Sequence, residues 1–399
     1  MRILLHTQYY PPEVGAPQNR LSDLARELQS LGHQVAVLTA MPNYPTGKIY
    51  PGYGRILRRE TLDGIPVHRA WILPSISRSL LPRLVSYFSF VLSSLLVGLF
   101  LPKFDLILTE SPPLFLGISG YLLSRIQRAR WIFNISDLWP ASAVELGMIQ
   151  PGSTGYKVGI ALEKFLYSKA WLVTGQSKTI LADISRRFPG VNIYHLSNGV
   201  NVAQFAPVEN SQPAEKLRVI YAGLHGLAQG LDQVLAAVAL LRDMDHFEVL
   251  FIGDGPEKQK LTNMARSLGL EMVQFLEPLP KSRMPAVLSA ADILIVPLKV
   301  QLTGAVPSKL YEAMAMAKPV VLVAESEAAA IVQEAKCGLV VRPGDVSGIA
   351  DALRFLLTHS ERRRKMGANG RVAALEKYDR AAIARNFSRH LQDLVQEER

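Results

Sequence analysis

The sequence of 399 residues contains very little cysteine and lacks the glycine pattern of dinucleotide enzymes. Its single cysteine, Cys337, excludes an internal disulfide framework. No Gly-x-Gly-x-x-Gly follows the first strand-like run of either half, and Gly253-Asp-Gly255 has no third glycine, so a nicotinamide enzyme is disfavoured. The start, Met-Arg-Ile-Leu-Leu-His, has no long apolar region and no small-residue cleavage site. We therefore expect the folded body to be cytoplasmic.

Metal ligands and nucleic-acid motifs are also scarce. Asp243-Met-Asp245 resembles a metal-binding pair, but it falls in a predicted helix-to-strand turn, where solvated acids are common. We therefore predict no metal site. Aromatic side chains make up 8% of the sequence and form no stacking ladder beside basic residues, so we expect no nucleic-acid partner.

The net charge of +10 is concentrated in the first half of the chain. Residues 1–200 hold 20 basic and 11 acidic side chains, which leaves the second half nearly neutral. A basic half fits nucleic acid or an anionic membrane surface, and charge alone does not separate the two. It does indicate an anionic partner for the first half.

Residues 84–102 carry no charge and are almost long enough to span a bilayer as a helix. They lie between two strand-like runs, 67–73 and 105–109, which should share one sheet. A single span would put these strands on opposite sides of the membrane, so we disfavour it. A core helix and a helix inserted into one leaflet both remain open.

Basic residues on both sides of this segment favour the leaflet. A cation near an anionic leaflet contributes about 1 kcal/mol. We therefore expect peripheral or monotopic attachment to the cytoplasmic face of the inner membrane through residues 84–102. The flanking cations are Arg78, Arg83 and Lys103, and the expected bilayer contacts are Phe88, Phe90 and Leu95.

Short apolar runs alternate with helical patterns twice along the chain, which is typical of a parallel α/β sheet. The runs are 3–5, 35–38, 67–73, 106–108, 131–135 and 172–174 in the first half, and 219–221, 249–252, 273–275, 293–296, 320–323 and 339–341 in the second. Between 201 and 216 the periodicity fails in a stretch with Pro207, Asn210, Ser211 and Pro213, which predicts a linker.

We therefore predict an α/β protein with two doubly wound, Rossmann-like domains, 1–205 and 217–379, that face an interdomain cleft. The final stretch, 380–399, is predicted to be a helix that packs back on the first domain. Ligands of open parallel sheets bind beyond the carboxyl ends of strands, so functional residues are sought in the loops that follow them.

The segment 304–319 follows a strand-like run that ends at Pro297. Pro307 and Ser308 indicate a helix start, where unpaired amides and the helix dipole favour an anion such as a diphosphate. Lys309 adds a positive charge. Glu312, one turn later, is suited to accept hydrogen bonds from ribose hydroxyls. The alternative is an ordinary capped helix whose Lys and Glu are solvated.

Six segments, in this order and spacing, resemble the GT-B glycosyltransferases, particularly the retaining glycosyltransferase family 4, over essentially the whole chain. They are Pro11-Pro-Glu-Val-Gly-Ala16, Ser197-Asn-Gly-Val-Asn201, Tyr221-Ala-Gly223, Phe251-Ile-Gly-Asp-Gly-Pro256, Ala291-Asp292 and the helix at 308–319. Within the family, the pattern looks most like the transferases that build bacterial O-antigen or exopolysaccharide units on polyprenyl-diphosphate lipid.

The resemblance implies a retaining transfer from a UDP-sugar to a lipid-diphosphate-linked acceptor without a metal ion. The sugar expected is an N-acetylated hexosamine or deoxyhexosamine. In the family's paired-glutamate motif the second glutamate matches Glu312, which would hold the ribose. The first falls on Gly304, so sugar recognition would rest on backbone groups of residues 304–306.

A second departure concerns the donor's diphosphate. Many relatives use an Arg and a Lys in the loop that opens the second domain, where this chain has Leu224 and Gln229. Losing two charge-assisted contacts of about 1.5 to 3 kcal/mol each requires compensation. Lys309, the helix amides and His225 are the candidates, although a lone loop histidine can equally be structural.

In the first domain, Gly15 and Ala16 precede a helix, and small residues there let the backbone approach a phosphate or sugar closely. A plain strand-to-helix turn would have the same composition. Asp137 follows a strand and could accept the acceptor hydroxyl's proton, or it could be a structural carboxylate. The predicted acceptor contacts are Asn43, Tyr44 and Lys48.

The nucleobase is predicted to lie over the loop after 273–275, with Arg283 as a stacking cover. The catalytic residues predicted are Asp137, Lys309 and Glu312. The donor-binding residues predicted are Gly15, Ala16, Gly223, His225, Gly226, Gln229, Gly253, Gly255, Leu276, Glu277, Pro278, Arg283, Gly304, Ala305, Val306, Pro307, Ser308, Lys309 and Glu312.

Three other functions share parts of this pattern. An epimerase or a phosphorylase on the same two-domain fold would bind related phosphates, but neither explains the apolar segment 84–102. A non-catalytic nucleotide-sugar sensor would be consistent with the departures at Gly304, Leu224 and Gln229.

Overall fold

The computed structural model describes residues 1–77, 79–208, 215–299 and 303–398. Arg78 of the basic flank, and Asn210, Ser211 and Pro213 of the predicted linker, lie outside the described residues. The chain divides into two compact units. Unit 1 comprises Met1–Asn198 and the residues from Arg380 onward, and unit 2 comprises Gly199–Asp379.

The strands are β1 Arg2–His6, β2 Gln34–Ala40, β3 Leu57–Leu62, β4 Ile65–Ala70, β5 Leu106–Ser111, β6 Arg130–Ile135, β7 Leu172–Gly175, β8 Ile193–His195, β9 Leu217–Ala222, β10 Phe247–Ile252, β11 Val273–Leu276, β12 Ile293–Pro297, β13 Val320–Val323 and β14 Gly338–Val341. The helices are α1 Ala16–Ser30, α2 Leu80–Leu99, α3 Leu116–Gln127, α4 Ala141–Glu145, α5 Thr154–Lys169, α6 Lys178–Arg187, α7 Leu231–Ala239, α8 Lys258–Ser267, α9 Met284–Ser289, α10 Ser308–Ala315, α11 Glu327–Ala335, α12 Val346–Thr358, α13 Ser360–Lys377 and α14 Arg380–Glu397. Two short 3₁₀ turns lie at Leu227–Gln229 and Lys281–Arg283.

Each unit contains one sheet, which confirms the prediction of two Rossmann-like α/β domains. The sheet of unit 1 has the order β3-β4-β2-β1-β5-β6-β7-β8 and is parallel except for β3. The sheet of unit 2 is parallel throughout, with the order β11-β10-β9-β12-β13-β14. Strand order reverses between β1 and β5 in unit 1 and between β9 and β12 in unit 2. These are the points where ligands bind in open α/β sheets.

Every apolar run predicted to be a strand forms one, but β3 and β8 were not predicted. β3 was missed because its residues alternate between half-buried and exposed at the sheet edge, so it carries charged side chains instead of an apolar run. The turn Asp63-Gly64, with both φ angles positive, is the sequence signal of its hairpin with β4. β8 has only three residues and gives no periodic signal.

The boundary between the units lies at Asn198–Gly199, so the predicted domain end at residue 205 is too late. Val200 pairs with Asp379, and Val200 and Phe205 are buried in the core of unit 2. Helix α14 belongs to unit 1. There, Ser388 Oγ lies 2.7 Å from His33 Nε2, and Arg380 forms an ion pair with Asp23.

Helix α2 connects β4 to β5, two parallel strands of the same sheet, and packs against α3, β2 and β4. By length and composition alone, Leu81–Leu99 is apolar enough to cross a membrane, and only 28% of this stretch is buried. The helix begins and ends earlier than the predicted segment 84–102. Its exposed apolar residues form a stripe at helical spacing, which we call the α2 stripe: Leu81, Val85, Phe88, Leu92, Leu96 and Leu99.

Of the three predicted bilayer contacts, Phe90 is therefore wrong, and Leu95 is only partly exposed. Phe90 is fully buried, and Leu95 packs against the core of unit 1. Phe90 lies on the face of α2 that packs against the domain, because a period of 3.6 residues places it opposite the α2 stripe. Leu95 lies at the edge of the stripe, while Phe88, Leu92 and Leu96 lie within it and are exposed.

Candidate functional site

Three loops of unit 2 are joined at the carboxyl ends of β9, β10 and β11. Gly223, directly after β9, donates its amide to the Ile252 carbonyl at 2.8 Å. Gly253, directly after β10, donates to the Leu276 carbonyl of β11 at 3.1 Å. These bonds place the predicted donor loops of the second domain side by side, next to the reversal of strand order.

The glycines of these loops allow close packing of backbone. A Cβ at Gly253 would collide with the Gly223 carbonyl, and one at Gly255 would lie 2.5 Å from the His225 carbonyl. The φ angles of both residues, 145° and 155°, are also unfavourable for other residues. Gly253 and Gly255 thus hold two loops together, a structural role that the sequence did not distinguish from phosphate contact.

Lys309 comes from the first turn of α10 and reaches the loop after β9. A Cβ at Gly223 would lie 2.6 Å from Lys309 Nζ, so the glycine provides the space that the amine occupies. The amine also lies 5.5 Å from the centroid of the Tyr221 ring. Burial lowers the pKa of Lys309, while the nearby Glu312 raises it. No carboxylate within the described ranges forms an ion pair with Lys309.

Helix α10 begins at Ser308, as predicted, and has no side-chain cap and no acidic residue in its first turn. Pro307 lies at the N-cap position in an extended conformation. Gly304 has a φ of 78°, which favours glycine, and Val306 is buried in the core. Of the residues 304–306, Val306 directs its side chain into the protein, and Ala305 is half-buried.

His225 is fully buried among aromatic rings, with centroids 6.0 Å from Phe275 and 5.9 Å from Tyr221. Neither ring nitrogen has a hydrogen-bond partner within the described ranges. Burial, helped by Lys258 and Lys309, lowers the pKa of His225, so the ring is neutral at pH 7.

The neighbouring Gln229 ends a 3₁₀ turn and packs close to Gly226. A Cβ at Gly226 would lie 2.7 Å from Gln229 Oε1. This oxygen is buried and has no hydrogen-bond partner among the residues described. Leu224, which stands where many relatives have an arginine, is 51% exposed.

Some groups of the predicted nucleobase loop already form hydrogen bonds and an ion pair within the protein. The Leu276 carbonyl accepts from Gly253 and from Lys258 Nζ at 3.4 Å, and Glu277 forms a 2.8 Å ion pair with Lys258. A base would therefore have to use other backbone groups of the loop, near Pro278. Arg283 is exposed in the second 3₁₀ turn.

In unit 1, Gly15 caps α1 with extended backbone, and Ala16 is the first helical residue. No side chain caps this helix start, and its first turn has no acidic residue. A Cβ at Gly15 would collide with the side chain of Gln18, whose Oε1 is buried and unpartnered within the described residues. The end of the Gln18 side chain therefore occupies the space beside Gly15.

A buried polar network joins α1 to Asp137. Arg20 of α1 donates to Glu110 Oε1 at 2.5 Å and to Ser136 Oγ at 2.9 Å. Asn134 donates to Glu110 Oε2 at 2.6 Å. Asp137 follows directly on Ser136, after β6. The pKa of Asp137 is raised to about 6, chiefly by burial and also by the nearby Glu110 and Glu145, while Arg20 lowers it.

Sequence reasoning missed Arg20 and Glu110. The signal was available for Glu110, because it is a carboxylate near the end of the otherwise uncharged strand β5, where a buried charge requires a partner. Arg20 gave no comparable signal, since an arginine on an amphipathic helix is ordinarily solvated.

A cavity of about 190 Å³ lies at the carboxyl end of the sheet of unit 1, at its reversal of strand order. Tyr9 follows β1, Phe115 follows β5, and Asp137 follows β6, while Arg83 comes from α2. We call this the Asp137 cavity. Asp137, which is predicted to act as the general base, lines this cavity.

The predicted acceptor contacts differ in how exposed they are. Asn43 is buried and donates its side-chain amide to the Met41 carbonyl at 2.9 Å, so this amide already has a hydrogen-bond partner within the protein. Tyr44 is 40% exposed, and its ring lies 6.0 Å from that of Tyr9 in the Asp137 cavity. Lys48 is exposed. A residue that was missed, Glu13, is buried and accepts from the amides of Asn43 and Tyr44.

Comparison with known proteins gives matches over most of the chain. A family model described as glycosyl transferase 4-like domain matches residues 15–199, and one described as glycosyl transferases group 1 matches residues 203–373. The chain is 27% identical over 347 residues to the putative colanic acid biosynthesis glycosyl transferase WcaI of Escherichia coli. This match covers 82% of the chain and 84% of that protein.

Solved structures show the same fold. Sucrose-phosphate synthase of Thermosynechococcus elongatus is similar with a TM-score of 0.79 and 20% identity, over 99% of each chain. HepE of Anabaena, in complex with UDP and glucose, is similar with a TM-score of 0.72 and 17% identity, over 98% of this chain and 100% of that one. The two matched domain models and this fold identify the chain as a glycosyltransferase of the GT-B fold, in which a glycosyl transferase 4-like domain precedes a group 1 domain.

Proposed function

We propose that this glycosyltransferase moves a sugar from a UDP-sugar to a lipid-diphosphate-linked acceptor in bacterial surface polysaccharide synthesis, with retention of anomeric configuration. The observation that carries the proposal is the Lys309 amine, which is desolvated and unpaired with any described carboxylate at the start of α10. The similarity to a colanic acid glycosyl transferase supports the pathway class, and the similarity to HepE supports a UDP-sugar donor.

The chemistry follows from where positive charge is available. The amides at the start of α10 and the Lys309 amine stabilise the diphosphate that leaves as the sugar is transferred. Asp137 orients or deprotonates the acceptor hydroxyl. The described residues hold no cluster of three or more side chains suited to a metal ion. We propose that transfer proceeds without an added divalent ion, because Lys309 supplies the charge that a metal supplies elsewhere.

Glu312 tests the donor assignment. Replacing it with Ala should weaken UDP binding about 10- to 100-fold, the effect of losing a charge-assisted hydrogen bond to ribose. Titration calorimetry with UDP measures this directly. Glu376→Ala, on an exposed helical glutamate of the same unit, is the matched control and should bind UDP like the wild type. Equal UDP affinity of the Glu312→Ala variant and the wild type would contradict the proposed hydrogen bond between Glu312 and the ribose.

We further propose that unit 1 attaches to the cytoplasmic face of the inner membrane through the α2 stripe. Leu92 and Leu96 are 62% and 60% exposed on a helix that begins close to Arg83 and ends close to the exposed Lys103. Helix α3, which packs against α2, and helix α5, which packs against α3, also expose apolar side chains: Ile126 and Phe165 are 58% and 43% exposed. An apolar face with basic flanks is the arrangement that lies in one leaflet of an anionic membrane.

The double variant Leu92→Gln/Leu96→Gln should bind vesicles containing phosphatidylglycerol more than tenfold less tightly than the wild type. The reason is that burying a leucine contributes about 1.5 kcal/mol or more. Vesicle flotation measures the bound fraction. Leu240→Gln/Leu375→Gln, which changes two leucines of unit 2 that are 52% and 47% exposed, should float like the wild type. Undiminished flotation of the α2 variant would show that the α2 stripe does not bind the membrane.

A further inference from the structure

One side of the Asp137 cavity is lined by a cation, Arg83 of α2. Arg83 of α2 donates to the Tyr87 hydroxyl at 3.0 Å and to the Met148 sulfur at 3.1 Å, and its guanidinium lies 5.9 Å from the Tyr87 ring centroid. Both partners are neutral. No carboxylate in the described part of the chain forms an ion pair with Arg83, although a guanidinium has five N–H donors. The cavity therefore offers donors and a full positive charge to an anionic ligand.

The rest of the wall is largely apolar and continues towards the α2 stripe. Leu84, Phe115, Trp139 and Leu146 line the same cavity. Phe115 contacts Phe88 of the α2 stripe, with ring centroids 4.9 Å apart. Helix α2 thus carries one face that lines the cavity and another that is exposed and apolar. A ligand that fits this arrangement has a charged group next to a hydrocarbon chain.

The position of Asp137 indicates which end of the ligand reacts. Asp137 lies in the wall of the same cavity as Arg83. Asp137 follows β6, whereas Arg83 lies on α2, so the two groups belong to different elements of the cavity wall. A hydroxyl of the acceptor sugar fits the Asp137 side, and an acidic group fits the Arg83 side.

We propose that Arg83 binds the phosphate through which the acceptor sugar is attached to its isoprenoid chain, with the first carbons of that chain against the apolar wall. The proposal rests on the lipid-linked acceptor proposed above and assigns its binding site. Free phosphate carries the same charge but has no apolar part that could contact the wall. The ligand that fits the whole cavity is therefore the lipid-linked phosphate.

Geranyl diphosphate is a soluble probe for this site, because it joins a diphosphate to a short isoprenoid chain. Fluorescence of Trp139 in the cavity wall, assigned with a Trp139→Phe variant, reports its binding. Arg83→Gln should bind it about 10- to 100-fold more weakly than the wild type, as expected for a lost charge-assisted contact. Arg83→Lys, which keeps the charge, should fall between the two. Arg55→Gln, at an exposed arginine of the same unit that forms no ion pair with a described carboxylate, is the matched control.

Geraniol and inorganic diphosphate separate the two halves of the probe. Both should bind the wild type much more weakly than geranyl diphosphate. Tight binding of geraniol would contradict the proposed anion site. Tight binding of inorganic diphosphate would contradict the proposed contact between the isoprenoid chain and the apolar wall. Geranyl diphosphate binding that is unchanged in Arg83→Gln would overturn the proposal. Should that variant fail to fold, Arg83→Met keeps the apolar stem without the charge and must show the same loss.

A UDP titration of the same samples distinguishes this proposal from the proposed transfer reaction. Geranyl diphosphate binding that depends on Arg83, in a protein that does not bind UDP, would support the site and contradict the UDP-sugar donor. If the protein binds UDP, and the Arg83→Gln variant binds geranyl diphosphate as tightly as the wild type, only the assignment of Arg83 is overturned.

Discussion

Replacing Asp137 with Asn should lower turnover by about 10² to 10⁴-fold, the range for loss of a general base. The same change should make the protein more stable above pH 7. Burial and the nearby Glu110 and Glu145 hold the pKa of Asp137 at about 6, above its usual value of 3.8. The folded state therefore binds the proton more tightly than the unfolded state, and ionisation at neutral pH destabilises the fold.

The pH window of this effect follows from the two pKa values. Below about pH 4 the carboxyl is protonated in both states and contributes no penalty. Stability is lost as pH rises from about 4 to 6, and the full penalty is present above that range. Asn has no charge, so the free energy of unfolding of Asp137→Asn should exceed that of the wild type by about 1 to 3 kcal/mol at pH 8 and by less at pH 5.

Urea unfolding at both pH values and a pH profile of turnover measure the two effects. Wild-type turnover should fall on the acid side with an apparent pKa near 6. Glu145→Gln is the matched control. It removes a negative charge that raises the pKa of Asp137, so its acid limb should move to lower pH while turnover is kept. An Asp137→Asn variant that is inactive, but whose stability gain over the wild type is no larger at pH 8 than at pH 5, would contradict the desolvated carboxylate.

Replacing Lys309 with Met should lower turnover by about 10² to 10³-fold, the usual cost of removing one group that stabilises transition-state charge. Methionine keeps the apolar stem that fits beside Gly223 and removes only the amine. Because the pKa of Lys309 is lowered by burial, wild-type turnover should also fall on the basic side at a pH below the usual lysine range. Initial rates with a saturating nucleotide sugar measure both effects.

Lys377→Met, at an exposed lysine near the end of α13, should retain full turnover. The assay is run with and without a chelator, since the wild type is proposed to need no divalent ion. If a chelator abolished wild-type turnover and Mg²⁺ restored it, a metal would carry the charge assigned to Lys309. Full activity of Lys309→Met in the chelator would contradict the role of the amine itself.

The central strands were predictable because parallel sheets bury both faces and leave continuous apolar runs, as in β12 and β13. The start of α10 was predictable for a local reason as well, since proline and serine favour the first positions of a helix. Edge elements were less predictable. β3 has one half-buried face and one exposed face, so its sequence is polar, and its hairpin could have been found only from Asp63-Gly64.

The face of α2 that would meet a membrane could not be read from composition. Residues 84–102 carry no charge, so the sequence indicated a membrane contact but assigned Phe90 to the exposed side. Packing against α3 and the sheet decides which residues are buried, because a helix without charged side chains has no charged face that orients it towards solvent.

By itself the sequence determined the local features: apolar strands, helix starts, the order of motifs and the charge of each half. Each depends on residues within about one element of each other. Only the tertiary structure brought Gly223 to the Lys309 amine, Arg20 to Glu110, and Arg83 into the wall that also holds Asp137. These neighbours are far apart in the chain, and their desolvation and pairing depend on how strands and helices pack. The donor class could therefore be inferred from the sequence, while the cavity proposed for the acceptor could not.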